Sequence, residues 1–179
     1  LVCLGGNLAV AISDPDTTFP AMRQLDLAVH IATKLNRSHL IPARQAFLLP
    51  CLGRTEQDVQ ATGPQSVTVE DSMSMVHASQ GGLAPASPHL RSEPAIVAGI
   101  AGALLPDSKV DWQGLVADYD RIRDGIESVF PMFKDFNRRV REPGGFRLYV
   151  GASVRDWGGA GKKARFIASP GLNEDLREQ

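Results

Sequence analysis

Residues 25–54 read LDLAVHIATKLNRSHLIPARQAFLLPCLGR, and this stretch decides the fold. It holds two apolar runs, Leu25 to Ile31 and Ala46 to Pro50, and each leads into a polar turn: Ala32-Thr33-Lys34 after the first, Leu52-Gly53-Arg54 after the second. A similar run opens the chain, where Leu1-Val2-Cys3-Leu4 enters Gly5-Gly6-Asn7. Between the first two runs, Thr17 to Gln24 reads as a short helix that Asp16 or Thr17 caps, with Phe19, Met22 and Leu25 toward a sheet. Strand, helix and strand in this order predict a βαβ unit. The Ala46–Pro50 run is apolar throughout, as expected of a parallel strand covered on both faces.

Further along, Thr55 to Pro64 is polar and without period, Ser66 to Glu70 alternates like a strand, and Ser74 to His77 reads as another. An extended hairpin or covering loop is expected, with Met73 and Met75 packed beneath it. Ser92 caps a helix whose first turn holds Glu93 and Pro94. Its expected apolar side is Ile96, Val97, Ile100, Ala103 and Leu104, and Ala98, Gly99, Ala101 and Gly102 predict close approach to another element. Asp111 starts one long helix, Trp112 to Val129, with Leu115, Tyr119, Ile122, Ile126 and Val129 on a stripe. Asp118, Arg121, Asp124 and Glu127 share its other face, where neighbours three apart can pair. A shorter amphipathic piece, Phe133 to Val140, follows, closed by Arg141-Glu142-Pro143-Gly144-Gly145. Phe146 to Val150 and Ala164 to Ile167 are strand candidates in a stretch that offers little core. The fold class expected is α/β, a Rossmann-like, open and mostly parallel sheet with flanking helices, over residues 1–142.

A chain of 179 residues, 43% hydrophobic and 22% charged, can bury one core with a small annex. No apolar stretch nears the roughly 18 residues of a membrane span. A net charge of −1, with both signs spread along the chain, gives no reason to expect nucleic acid as a partner. Cys3 and Cys51 sit in apolar runs far apart, which favours buried reduced thiols and a cytoplasmic setting. The histidines His30, His39, His77 and His89 lack zinc spacing, and His30 reads as a core residue. With no initiator Met and a strand at its first residues, the chain is expected to begin mid-protein.

Chemistry is expected where parallel strands end, because loops diverge there and helix N-termini expose unpaired N–H groups. Gly5-Gly6-Asn7 forms a turn without β-carbons that lets backbone amides approach a phosphate, with Asn7 able to bond a ribose or base. Thr33-Lys34-Leu35-Asn36-Arg37-Ser38-His39 brings two cations to the next strand end, and Gly53-Arg54 adds a third. Together they suit a phosphorylated nucleotide, yet the chain has neither the G-x-G-x-x-G fingerprint nor a P-loop, so simple NAD or ATP use is disfavoured. Glu70-Asp71 and the acidic residues Asp118, Asp120 and Asp124 read as solvated faces. Ser72, Ser74 and His77 lack the G-x-S-x-G elbow and an orienting acid.

Ile31-Ala32-Thr33-Lys34-Leu35-Asn36-Arg37-Ser38-His39-Leu40 and Leu49-Pro50-Cys51-Leu52-Gly53-Arg54-Thr55-Glu56, with Gly63 to Ser72, Ser92 to Ile96, Asp118 to Asp124 and Pro143 to Phe146, resemble one family. It is the formate dehydrogenase alpha-subunit-like molybdopterin oxidoreductases of the dimethyl sulfoxide reductase superfamily. The resemblance implies a large enzyme in which two molybdopterin guanine dinucleotides chelate one molybdenum beside an iron–sulfur cluster and act on a small substrate such as formate. This chain resembles the third, pterin-dinucleotide-binding domain. Family contacts to pyrophosphate and guanosine map onto Gly5, Gly6, Asn7, Thr33, Lys34, Asn36 and Arg54. Where related branches carry an acidic guanine reader near the second strand's end, His30-Ile31-Ala32-Thr33 stands here.

No cysteine cluster and no Cys, Ser or Asp candidate for a molybdenum ligand is found, so catalytic residues and the iron–sulfur cluster are expected in other domains of the full-length protein. Residues 143–179, ending in the family-like Gly161 to Phe166, are expected to be a linker and the start of a truncated C-terminal domain that leads to a barrel. On this reading the chain alone is inactive, the metal does the redox chemistry, and the protein holds the cofactor. The competing reading is a stand-alone, non-catalytic α/β module that binds a nucleotide or a partner surface.

Overall fold

The computed structural model describes residues 1–159 and 161–166. The fold is mixed α/β, built on a three-stranded parallel sheet of β1 (Val2–Leu4), β2 (Leu27–Ala32) and β3 (Gln45–Pro50) in the order β1-β2-β3. In-register pairing puts Val2, Val29 and Phe47 in one cross-strand row and Leu4, Ile31 and Leu49 in the next. The expected strand–helix–strand unit is present, with two helices in place of one: α1 (Leu8–Ala11) and α2 (Pro15–Gln24). Asp14 caps α2, rather than Asp16 or Thr17, because Pro15 at N1 needs no N–H partner and moves the start forward. The Asp14 carboxylate accepts from the Thr17 amide at 3.1 Å and from its hydroxyl at 2.7 Å. Ala9, Met22 and Ile41 are buried together with Phe19 against them, as expected for Phe19 and Met22.

β3 departs from expectation: it was to be covered on both faces, yet Phe47 is 54% and Leu48 48% exposed, and these neighbours point to opposite faces. An apolar run reports what a strand can bury, not whether a covering layer lies among the described residues.

Beyond β3 a short ribbon of β4 (Val59–Gln60) and β5 (Gly63–Pro64) lies in the stretch that showed no period. The expected hairpin is β6 (Val67–Glu70) with β7 (Met75–Ser79), antiparallel. Helix α3 (Glu93–Leu104) begins at Ser92, whose hydroxyl accepts from the Ala95 amide at 3.4 Å. Its buried contact is the small residue Ala98, packed with Val116 and Tyr119, whereas Val97 and Leu104, expected on the buried side, are exposed. Of the small residues expected to allow close approach, Ala98 makes it, whereas Gly99 is exposed with nothing within 4 Å of a β-carbon built there.

The single long helix is two. α4 (Trp112–Ala117) ends at Asp118, whose extended backbone (φ −150°, ψ 113°) breaks the spiral and whose carboxylate caps α5 (Tyr119–Val129) through the Asp120 amide at 3.0 Å. Asp is as good a cap as a surface residue, and periodicity does not distinguish the two. The expected partners also change. Arg121 pairs with Asp111 at 3.3 Å, Asp124 accepts from Asn137, and Glu127 accepts from the Phe136 amide. The buried Arg123 binds Asp120, which also takes Arg141.

α6 (Phe136–Val140) and β8 (Phe146–Arg147) complete the fold, with β8 pairing to β7 in a second three-stranded sheet. Phe146, expected to contribute little core, joins Val76, Phe136 and Val140 in a buried cluster. Gly145 permits this: its φ is +69°, and a β-carbon there would sit 2.0 Å from the Val76 carbonyl oxygen. Met73, expected under the hairpin, is 65% exposed, since it sits at the turn and only Met75 is in a strand. Residues 164–166 are not a strand, and Ile167 lies outside the described residues. Both cysteines are free thiols, Cys51 buried and Cys3 partly so. No helix among the described residues is long and apolar enough to cross a membrane.

Candidate functional site

The carboxyl ends of β1, β2 and β3 lie on one edge because the strands are parallel, so the three turns singled out from sequence are neighbours in space. At β1, Gly5 and Gly6 have φ of +64° and +72°, conformations that L side chains resist, and nothing lies within 4 Å of a β-carbon built at Gly6. The turn is knitted to the second strand end: the Gly5 amide donates to the Ile31 carbonyl at 2.8 Å, and the Asn36 side-chain amide donates to the Gly6 carbonyl at 2.8 Å.

Asn36 is also the cap of the single helical turn Arg37–Leu40. Its side-chain oxygen accepts from the Ser38 amide at 2.9 Å, while its own backbone amide donates to His39 Nδ1 at 3.0 Å. Asn7 Oδ1 accepts from the Ser38 hydroxyl at 3.1 Å, and that hydroxyl oxygen accepts from the Ala9 amide at 3.0 Å. Asn7 and Asn36 therefore use their side chains to hold the turns in place. His39 stands edge-on to the buried His30 ring, 4.9 Å between centroids. Burial first, and the neighbouring His39 second, push the His30 imidazole below its ordinary value.

Thr33, Lys34 and Arg54 come together on a cleft of about 540 Å³, closed on its other sides by the β6–β7 hairpin and the start of α3. Lys34 and Thr33 also border a smaller hollow of about 280 Å³ beside His30 and His39. Arg54 is aimed by a hydrogen bond from its Nε to the Ser79 hydroxyl at 2.9 Å. The turn that carries it is pinned by Glu56, whose two carboxylate oxygens accept from the Gly53 and Ala86 amides, each at 2.5 Å. Those backbone donors hold the Glu56 carboxyl below its usual range.

Sequence reasoning missed the acidic wall of this cleft, namely Glu56, Asp58 and Glu93. Asp58 is occupied internally. Its carboxylate accepts from the Tyr119 hydroxyl at 2.5 Å and from Gln60 at 2.6 Å, and the Tyr119 hydroxyl also meets Ser92 Oγ at 2.7 Å. Burial, followed by the Asp58 bond, drives the Tyr119 phenol far above its ordinary value. Glu93 is the half-buried acid that touches both parts of the site, lining the cleft while its Oε1 lies 3.5 Å from a β-carbon built at Gly5. Its position in the first turn of α3 was legible, but its return to β1 required the fold. Among the described residues no group of three His, Cys, Asp or Glu side chains is placed to hold a metal. Burial raises the Cys3 and Cys51 thiols, so neither is poised as a thiolate.

No protein-family profile matches the chain. It is similar to protein YdeP of Escherichia coli and of Shigella flexneri, 58% identical over 175 residues in each case, a match that covers 98% of this chain. It is also similar to the uncharacterized oxidoreductase Rv2900c of Mycobacterium tuberculosis, 44% identical over 169 residues and 93% of this chain. These relatives are much longer. The chain spans 23% of the length of the YdeP proteins and 22% of the mycobacterial one.

Proposed function

We propose that this chain is one part of a formate dehydrogenase-like molybdenum oxidoreductase and supplies part of the cradle for a molybdopterin guanine dinucleotide. The observation that carries the reading is the convergence of Thr33, Lys34 and Arg54 on one cleft, beside the Gly5-Gly6 turn, at the carboxyl edge of a parallel sheet. The name oxidoreductase borne by the mycobacterial relatives supports the reaction class.

The residues fit the phosphate-bearing part of such a group. Gly6 has open space where a side chain would stand, so a pyrophosphate oxygen can approach the backbone closely. Lys34 contributes a compact charge, and Arg54, oriented through Nε by Ser79, keeps its terminal nitrogens for a phosphate. Asn7 and Asn36 act at one remove by fixing the glycine turn. When bound, the molybdenum supplies two-electron redox chemistry. Its protein ligand, the iron–sulfur cluster and the contacts to a small substrate such as formate belong to the remaining domains of the enzyme.

The test is cofactor content of the purified gene product, measured as molybdenum by elemental mass spectrometry and as guanine nucleotide released on acid hydrolysis. We expect both, and we expect the Lys34→Ala, Arg54→Ala double variant to retain at least about tenfold less nucleotide, since each charge-assisted phosphate bond contributes about 1.5–3 kcal/mol. A product without molybdenum or guanine, or a double variant with unchanged content, would overturn the assignment.

A further inference from the structure

The two faces of the parallel sheet are unequal. The face that carries Ala28 and His30 is covered over β2, where the turn bearing His39 packs on His30 and is tied to α1 through the Ser38–Ala9 bond, while Leu48 of β3 on that face stays 48% exposed. The opposite face carries Val2 and Leu4 from β1, Leu27, Val29 and Ile31 from β2, and Phe47 and Leu49 from β3, brought into rows by the in-register pairing. α3 starts beside the carboxyl edge of the sheet, where the preceding Arg91 bridges to Cys51 and Glu93 lies near Gly5, and farther along Ile96, Gly99 and Ile100 share a hollow of about 580 Å³ with Leu49 and Pro50. Ile31 there is 1% exposed, but Val2 is 61%, Leu4 53%, Leu27 44% and Phe47 54% exposed.

Side chains from all three strands thus form one patch left bare among the described residues, of a kind that monomeric surfaces rarely tolerate. Parallel sheets are covered on both faces, and the layer that covers them is helical because their strands are joined by helices. The exposed side chains of the patch are aliphatic or aromatic apart from Gln45 beside Leu27, so the occupant must present an apolar stripe.

We propose that this face is the docking site of an amphipathic helix supplied by the same polypeptide from beyond the described residues. The match to YdeP covers 98% of this chain and leaves more than three quarters of that relative outside it, ample chain to provide such a layer. The proposal rests on reading the chain as one part of a longer enzyme.

Hydroxyl-radical footprinting of the wild-type gene product tests it without any substitution. Phe47 is read against Phe130, the same residue type with 52% exposure within these residues, and each rate is normalised to that in the unfolded protein. The expected result is a Phe47 rate slowed on the order of tenfold, with Leu4 and Leu27 slowed in parallel, at every protein concentration. Phe47 reacting near its unfolded-state rate overturns the proposal. Protection that disappears on dilution, together with a dimer-to-monomer change in size-exclusion chromatography, also overturns it and assigns the face to a second copy. Molybdenum content on the same sample is independent of the footprint, so failure of the cofactor reading and failure of this one are told apart.

Discussion

Replacing Gly81 by Ala should break the site's Arg54 turn, and the same change at Gly82 should leave it intact. A β-carbon at Gly81 would lie 2.0 Å from the Glu56 carbonyl oxygen, 2.4 Å from its carbon and 2.6 Å from the Thr55 carbon, whereas one at Gly82 meets nothing within 4 Å. The obstruction is backbone, so no side chain can rotate away, and relief requires the two segments to separate by about 1 Å or more. That separation strains three backbone bonds that hold them together, Gly82 and Leu83 amides to the Thr55 carbonyl at 3.0 Å each and the Gln57 amide to the Leu83 carbonyl at 2.8 Å. At about 1 kcal/mol net per bond, their loss costs about 3 kcal/mol. Every 1.4 kcal/mol is about tenfold, so amide hydrogen exchange at Gln57 and Leu83 should accelerate on the order of 100-fold in Gly81→Ala. The Gly82→Ala variant should exchange like the wild type. If the two variants behave alike, the close approach of this loop to the Arg54 turn is wrong, and with it the orientation assigned to Arg54.

Three further outcomes follow from packing and charge. Gly145→Ala should lower the melting temperature well beyond Gly144→Ala: both residues have positive φ, but only the first would drive a β-carbon against Val76 and unseat Phe146, a loss of about 3–5 kcal/mol in differential scanning calorimetry against about 1 kcal/mol. Arg123→Ala should cost about 3 kcal/mol, because it leaves Asn137 Oδ1 and the Ser66 carbonyl without their donor while Asp120 keeps Arg141; an unchanged denaturation midpoint would contradict the burial. His30 is held below the usual histidine value, so the folded state binds fewer protons; its stabilisation is complete above pH 6.5 and is lost as pH falls from there toward the folded value, and His30→Gln should flatten that part of the stability–pH curve.

The parallel sheet was legible because three apolar runs with polar ends leave little other choice, and the turns of the proposed site were legible as strand ends because Gly5-Gly6, Thr33-Lys34 and Gly53-Arg54 follow those runs. Asp118 shows what local pattern cannot decide. It sits on a continuous 3.6-residue period, and only the tertiary anchoring of Tyr119, by Gln65 at its amide and Asp58 at its hydroxyl, selects the break over the continuous helix. Glu93 and Glu56 were illegible as site residues for a related reason. Each acts on backbone or space that is remote in sequence, Glu56 on Ala86 and Glu93 beside Gly5. The coverage of β3 could not be read either, because hydrophobicity specifies a need for burial and not its source.

The electrostatics of the cleft turn on which of its charges are already occupied. Two of its three carboxylates are already engaged by the fold itself, Glu56 by two backbone amides and Asp58 by Tyr119 and Gln60. Lys34 and Arg54, by contrast, form no ion pair among the described residues, and Arg54 is fixed only through Nε. A formal count of the lining residues would make the cleft acidic, yet both of its cations and the hydroxyls of Thr33 and Thr55 keep donors without a partner among the described residues, and these are groups a phosphate can take up. Glu93 is the exception, and its place matters. It stands at the start of α3, beside the carboxyl edge of the sheet, so its distance from the Gly5-Gly6 turn depends on how firmly α3 is held. A helix docked on the bare sheet face would clamp that edge from below. On the proposed reading the cradle and the docked helix act together, so nucleotide affinity measured on residues 1–179 alone should fall short of that of the whole protein.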